Sequence, residues 1–508
     1  FGSSCSCKEF KDPLVPSCPL GSYAVSVFAM GAAVADVVQV VKTYWPLLLG
    51  NALEWYEFSL FGYLSPYFQV NFFQDSAVAA WLGFAITFMA RPLGGIVLGL
   101  VGDVFGRKVS AFVSIFGMLF GTVLQGALPT YQCGEVAGAL GLAMLVFLRL
   151  LQGISAGGEI ASVTTYIIEV GNPRSLASSL VLIPATASLG SFVAQLVTFS
   201  LEGLLGDAAM LSWGWRLPFL LALLPGLLAA LGRRSLSESS SFQAAARAEK
   251  APGGAAWRAV MKLKELVVDC WPQVLVGLGA VAALAVNVYG GMTWTLVSLK
   301  KQGVSSDVRT AAAAVSKCMI WLLVPLVGFI GDQRGAAWVQ LVISLTMAII
   351  GMPLLMSIEE SVENPKLVIL FYGVGFGFLE AFLMVVALQV VELFPVEVRN
   401  AGMGLSYNVG MCIFGGFAPL AFEAAAKTAP WMPPLLLSIG GLITALTTLI
   451  SLCLRSQGKI QLTHVRHEPY FHYCGRERFV KMQKHQTSST NETKKQETST
   501  EFQSVVGI

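Results

Sequence analysis

Gly102-Asp103-Val104-Phe105-Gly106-Arg107-Lys108 and, far downstream, Gly331-Asp332-Gln333-Arg334-Gly335 are two versions of one loop, each set between long apolar stretches. A second matched pair follows them: Glu169 with Pro173 and Arg174, then Glu392 with Pro395 and Arg399. A chain whose halves repeat both hydropathy and loop chemistry is organised as parallel repeats, as in many transporters. An Asp at a helix end and an Arg a few residues on can pair with each other and with neighbouring helix termini. The loops therefore predict a latch on one face, made from Gly102, Asp103, Gly106, Arg107, Lys108, Glu169, Arg174, Asp332, Arg334, Glu392 and Arg399. Simple anchoring by Arg107 and Lys108 would not require the Gly-Asp repeat.

Outward from these loops the chain is apolar. Of 508 residues, 55% are hydrophobic and 12% charged, against about 25% charged in soluble domains. Mean hydropathy is +0.68. Basic and acidic residues nearly balance, for a net charge of +3, which leaves no electrostatic footprint for nucleic acid. A spanning helix takes about 20 apolar residues. Twelve spans are expected, near 44–70, 76–101, 108–128, 136–168, 176–201, 212–232, 269–299, 308–330, 336–357, 365–391, 400–425 and 430–453. The expected fold is thus an all-α membrane protein of twelve transmembrane helices in two six-helix bundles, residues 44–232 and 269–454. Residues 233–268 read as a linker and 455–508 as a disordered polar tail. Residues 1–43 form a leading segment, which begins with Phe1 and is expected to be incomplete.

Of the 33 Lys and Arg, the side carrying both ends of the chain holds 24. The opposite side holds Lys300, Lys301, Arg309, Lys366 and Lys427. The positive-inside rule places both termini in the cytoplasm, and the plasma membrane is the expected location. The nine cysteines are scattered. Cys5, Cys7 and Cys18 lack the partners of a zinc site, and His464, His467, His472 and His485 all fall in the tail. No catalytic triad, P-loop or metal-ligand set is present, so neither an enzyme activity nor a cofactor or metal is expected.

Several strings narrow the class. The loop at 102–108 resembles the signature of the major facilitator superfamily. Gly50-Asn51-Ala52-Leu53-Glu54-Trp55-Tyr56-Glu57-Phe58, Phe88-Met89-Ala90-Arg91-Pro92-Leu93-Gly94-Gly95 and Arg149-Leu150-Leu151-Gln152-Gly153-Ile154-Ser155-Ala156-Gly157-Gly158-Glu159 resemble the first, second and fourth spans of its metabolite:proton symporter family. Gly214-Trp215-Arg216-Leu217-Pro218-Phe219 with Arg234, Leu236, Glu238 and Phe242, and Glu392-Leu393-Phe394-Pro395 with Arg399, Asn408, Gly415-Gly416 and Pro419, resemble its sixth and eleventh. The resemblance covers about residues 44 to 453. It implies proton-coupled symport, by alternating access, of a small polar metabolite: an organic acid or a zwitterionic osmolyte such as proline or betaine. Where the family usually has Asp, this chain has Glu57. The rival readings are an uncoupled facilitator of the same fold for sugars or other solutes, and a non-transporting receptor or channel.

An ionisable residue inside a span costs roughly 2.5 kcal/mol or more and is a functional candidate by default. Here these are Glu54, Glu57, Arg91, Arg149, Glu159, Lys317 and Glu380. Asn51, Glu54 and Glu57 share one helix face. Counting along the helices puts Glu54, Arg91 and Glu159 about 15 to 18 Å from the loop face, which predicts one buried cluster. Burial in low dielectric favours the protonated form of a carboxylic acid. A proton taken up there could drive the cycle while Arg91 alternates between carboxylate and substrate. A permanent Arg91 pair that merely fixes packing is the competing account. Arg149 reads as a proton relay, a site for an anionic substrate group, or a salt-bridge partner. Lys317 and Glu380 are expected to pair unless Lys317 snorkels. Asn287, Tyr289 and Trp294 are cavity candidates, with an interfacial role as the alternative for the aromatics. Gly95-x-x-x-Gly99 and Gly153-x-x-x-Gly157 predict close packing of the second span on the fourth.

Overall fold

The computed structural model describes residues 21–74, 77–170, 176–238, 243 and 255–457. Arg174, the Cys5, Cys7 and Cys18 group, linker residues 239–242 and 244–254, and the tail beyond 457 lie outside the described residues.

The fold is helical throughout the described residues, and helices occupy the twelve expected positions. They are α1 (Gly21–Tyr63), α2 (Ala77–Phe105), α3 (Arg107–Gln125), α4 (Glu135–Val170), α5 (Leu176–Leu180, resumed as Leu182–Ser212) and α6 (Gly214–Arg234). The second half comprises α7 (Trp271–Trp294), α8 (Ser306–Arg334), α9 (Ala336–Glu360), α10 (Pro365–Val391), α11 (Arg399–Thr428) and α12 (Met432–Ser456). Eleven of these are long and apolar enough to cross a membrane. Over residues 44–61 the apolar run of α1 is diluted by Asn51, Glu54 and Glu57. The helix is paid for by packing, since it lies along α5 and α6 with Leu47, Leu60 and Phe61 almost wholly buried.

Local chemistry sets the breaks. α1 stops at Leu64, and a short helix Ser65–Phe72 restarts with Pro66 in its first turn, where a missing N–H costs nothing. Gly106 and Gly335 hold φ of 112° and 86°, a region closed to most side chains. Each turns the chain sharply between α2 and α3 or between α8 and α9. The two loop motifs thus keep their glycines for the same geometric reason.

α2 and α4 make the most extensive helix contact. At Gly94, Gly153 and Gly157 a Cβ would collide with the backbone of the facing helix. The expected packing of the second span on the fourth holds, and the Gly95 backbone lies against Gly157 within it, but the Cβ positions of Gly95 and Gly99 point to a second neighbour. They face α11, where Gly95 meets Gly404 and Gly99 meets Ala401. Spacing identifies a small-residue stripe, but α2 carries two such stripes, one for its own half and one for the other. The repeat-related contact joins α8 to α5, where Gly328 and Gly331 approach Ser178 and Ala177.

The 233–268 linker contains a helix among its described residues. Helix Ala255–Val268 crosses toward the start of α11, and its buried Lys262 donates to the Glu397 carbonyl at 3.0 Å. The chain from 286 to 294 in α7, 369 to 376 in α10 and 411 to 416 in α11 is π-helical. Such insertions are frequent at functional sites.

Candidate functional site: buried charges and a two-sided latch

The latch is closed on the face that carries the Gly-Asp loops. Arg107, 1% exposed, donates to the Gly102 carbonyl and Asp103 (both 2.7 Å), to Glu169 (3.1 Å) and to the Val396 carbonyl of the other half (2.7 Å). Arg399 reaches the same Glu169 oxygen at 3.5 Å. Asp103 in turn accepts the backbone N–H groups of Asn400 (3.3 Å) and Ala401 (2.9 Å) in the first turn of α11. Asp332 does the same for α5, accepting from Ala177 N–H (2.7 Å), Ser178 N–H (3.1 Å) and the Ser178 hydroxyl (2.5 Å). Those orphan N–H groups and the positive helix end are what a carboxylate satisfies. Glu238 serves α3 in the same way, accepting Arg107 N–H at 3.1 Å and Lys108 N–H at 3.3 Å. Lys108 closes this corner on the Arg234 carbonyl at 2.6 Å. Glu392 pairs with Arg455 at 3.6 Å, and Arg334, in the last turn of α8, lies at the rim.

Deeper in the first half, the expected single cluster is divided. Arg91 and Glu54 pair at 2.5 Å, both buried. Rings of Trp55, Phe58 and Phe88 lie 5.5 to 6.0 Å from the guanidinium carbon, within cation–π range. Glu159 instead pairs with Arg233, whose guanidinium also reaches the Ala111 and Pro46 carbonyls, and Ser114 donates to the same carboxylate. Arg233 and Glu159 are both 0% exposed. Residue counting missed this because Arg233 opens the stretch read as a linker, whereas α6 carries it inward to a full set of partners. Asn51 is bonded instead to α5, through the Ile183 carbonyl (2.5 Å) and Thr186 (3.0 Å).

Glu57 faces a different group. Gln152 donates to it at 3.3 Å and to Thr122 at 2.6 Å, while Arg149 donates to the Gln152 amide oxygen at 3.1 Å. Arg149 is stacked 4.0 Å from the centre of the Phe61 ring. Gln152 was not singled out in the sequence because it is neutral, yet its position three residues after Arg149 places both on one face of α4. Glu54, Glu57, Phe58, Arg91, Arg149 and Gln152 line a narrow cavity. The side chains close on it so tightly that it holds about one water molecule.

The second half is sparser. Lys317 and Glu380 do pair, at 3.5 Å, with Lys317 partly exposed. Asn287 and Tyr289 lie buried in the π-helical part of α7, and neither side chain has a hydrogen-bond partner. Tyr289 packs edge-on against Phe88 at 5.3 Å and Phe58 at 6.4 Å, across the interface from Arg91. Trp294 points elsewhere, donating to Glu423 at 3.1 Å. Among the described residues, no group of three His, Cys, Asp or Glu could hold a metal ion.

Comparison with known proteins places this arrangement. Residues 43–271 match the family model "Sugar (and other) transporter". The chain is similar to the ectoine/proline transporter ProP of Corynebacterium glutamicum, 30% identical over 390 residues that cover 73% of this chain and 76% of that one. It is also similar to the alpha-ketoglutarate permease of Escherichia coli, 30% identical over 426 residues, 81% and 92% of the two chains. In three dimensions it resembles the proton:xylose symporter XylE with bound 6-bromo-6-deoxy-D-glucose, at a TM-score of 0.65 and 18% identity, over 82% of this chain and 96% of that one. The protein is therefore a transporter and not an enzyme: a multi-pass integral membrane protein that belongs to the major facilitator superfamily and, within it, to the metabolite symporter family of the proline/betaine and α-ketoglutarate permeases.

Proposed function

We propose that the chain is a proton-coupled symporter of a small polar metabolite, an organic acid or a zwitterionic osmolyte, working by alternating access. The observation that carries this reading is the division of labour among the buried charges. Glu54 and Glu159 each have an arginine, whereas Glu57 is met by the Gln152 amide and makes no salt bridge among the described residues. A carboxylate without a bound cation in a membrane interior is the group best suited to take and release a proton. The latch holds the loop face shut, and its contacts join the two halves, so rocking of one half on the other must break them. With the basic excess of the loops, that face is the cytoplasmic one, and the captured state is closed toward the cytoplasm. Arg233 with Glu159 lies wholly within the first half and moves as part of it.

The names of the relatives support the substrate range: ectoine and proline for one, α-ketoglutarate for another. The test is a suspension of liposomes holding the purified protein and a trapped pH-sensitive dye. α-Ketoglutarate, citrate, shikimate, proline and betaine are added one at a time. Acidification of the lumen with one of them establishes symport and its substrate class. Saturable uptake of a labelled solute without acidification would replace symport by facilitated diffusion on the same fold.

A further inference from the structure

The helix Ala255–Val268, which leads from the first half to the second, has three faces where a surface helix normally has two. One face is buried. Lys262, Leu266 and, just past the helix end, Cys270 lie on it, packed along α2 and against the start of α11. A second face carries charge: Arg258, Glu265 and Asp269 fall within about 40° of one another on a helical projection. The third face lies directly opposite the buried one, and it is apolar. Trp257, Val260, Met261, Val267 and Val268 are 43–58% exposed and sweep an arc of about 120°.

Water does not account for this order. A helix packed on one side and wet on the other turns its charges outward; here they sit on the flank and the outermost stripe is apolar. An exposed apolar patch of this kind marks a surface with an occupant. Three observations favour the bilayer as that occupant. The stripe runs on into Trp271 and Leu275, both 56% exposed, which open the membrane-spanning α7. Tryptophans stand at its two ends, Trp257 and Trp271, and indole rings favour the lipid–water boundary. Within the stripe lies one exposed lysine, Lys264. The core of a protein interface disfavours lysine, whereas in a leaflet its stem lies among the chains and its ammonium reaches the phosphates.

We infer that helix Ala255–Val268 lies in the plane of the membrane with its apolar stripe sunk into the leaflet on the loop face, and that it acts there as a strap across the two halves. The strap follows from the buried face. α2 belongs to the first half, and the Glu397 carbonyl that Lys262 holds at 3.0 Å leads into α11 of the second. The helix therefore bridges the crossing that must part when this face opens, and the leaflet holds it in place. This goes beyond the symport reading and does not depend on it.

The experiment uses the full chain, one copy per phosphatidylcholine nanodisc. A nitroxide is placed on Val260→Cys or Val268→Cys after the native cysteines are replaced by serine. Collisions with oxygen, which concentrates in lipid, should exceed those with a water-soluble nickel chelate, at a depth of about 5–10 Å into the headgroup–acyl boundary. Stronger collisions with the chelate would put the stripe in water and overturn the inference. Protection from both probes would overturn it too, by showing that another stretch of the same chain covers the stripe. The strap is read separately by amide exchange in the chain with its cysteines intact. Val260→Asp combined with Val268→Asp should unseat the helix and speed exchange at Asn400 and Ala401, whose N–H groups bond to Asp103 across the crossing. Unchanged exchange through α9 shows that the variant folds, and Val260→Ser with Val268→Ser is the milder pair if it does not. Exchange at Asn400 and Ala401 equal to wild type in a folded variant would overturn the strap.

Discussion

Asp103 and Asp332 perform the same act in opposite halves: each ends a helix of its own half and caps a helix of the other. What surrounds them differs. Around Asp103 lie Arg107, Glu169 and Arg399, all buried, with Arg107 bonded across to Val396. Asp332 accepts from two backbone N–H groups and one hydroxyl. The interior repeats the contrast, with Arg91–Glu54, Arg233–Glu159 and the Arg149–Gln152–Glu57 chain in the first half against Lys317–Glu380 in the second. Helix capping is thus what the shared fold needs to close, and it is symmetric. Among the described residues, the deeply buried charge pairs are concentrated in one half.

Substitutions can break or sharpen this contrast. The largest loss is expected for Glu159→Ala, which strands Arg233 as an unpaired buried cation. Breaking such a pair costs about 3–5 kcal/mol, readable as a large fall in Tm in detergent. Glu380→Ala, whose partner Lys317 is partly exposed, should cost about 1 kcal/mol or less. Equal losses would show that the halves are not specialised.

Next comes the closure itself. A side chain at Gly95 meets the Gly404 backbone, so Gly95→Val should hold α2 and α11 apart. A single cysteine placed beside the cavity should then react faster with a reagent applied to the loop face. Gly62→Ala has open space around it and should change neither labelling nor stability beyond about 0.5 kcal/mol. Similar labelling in both variants would deny that this crossing is the seal.

The smallest effects belong to the caps. Asp332→Ala removes a helix cap, worth about 1 kcal/mol. Asp103→Ala removes a cap together with the Arg107 salt bridge and should cost visibly more in a matched thermal melt. If Asp332→Ala proved the more damaging, the symmetric cap rather than the charged network would be the principal lock.

Much of this was legible in the sequence, and the misses share a cause. Span positions follow from hydropathy, and the predicted starts and ends agree with the helices to within several residues in most cases, the early helix Gly21–Tyr63 being the main departure. The latch was legible because Gly-Asp repeats in both halves. What sequence cannot supply is the rotation of each helix about its axis. Glu54, Arg91 and Glu159 sit at similar counts from their loops, yet Glu159 turns toward α6 and Arg233. Gly95 and Gly99 formed a stripe, but the stripe faces α11. Gln152 carries no charge to draw notice, although it links Arg149 to Glu57.

The central claim, that Glu57 is the coupling group of a solute carrier, is tested most directly by comparing two modes of transport in Glu57→Gln. Exchange of labelled for unlabelled solute across liposomes needs only the rocking of a loaded carrier, whereas accumulation against a gradient needs the proton. The account predicts that Glu57→Gln retains exchange and loses proton-driven accumulation. Accumulation that survives at the wild-type rate would contradict it.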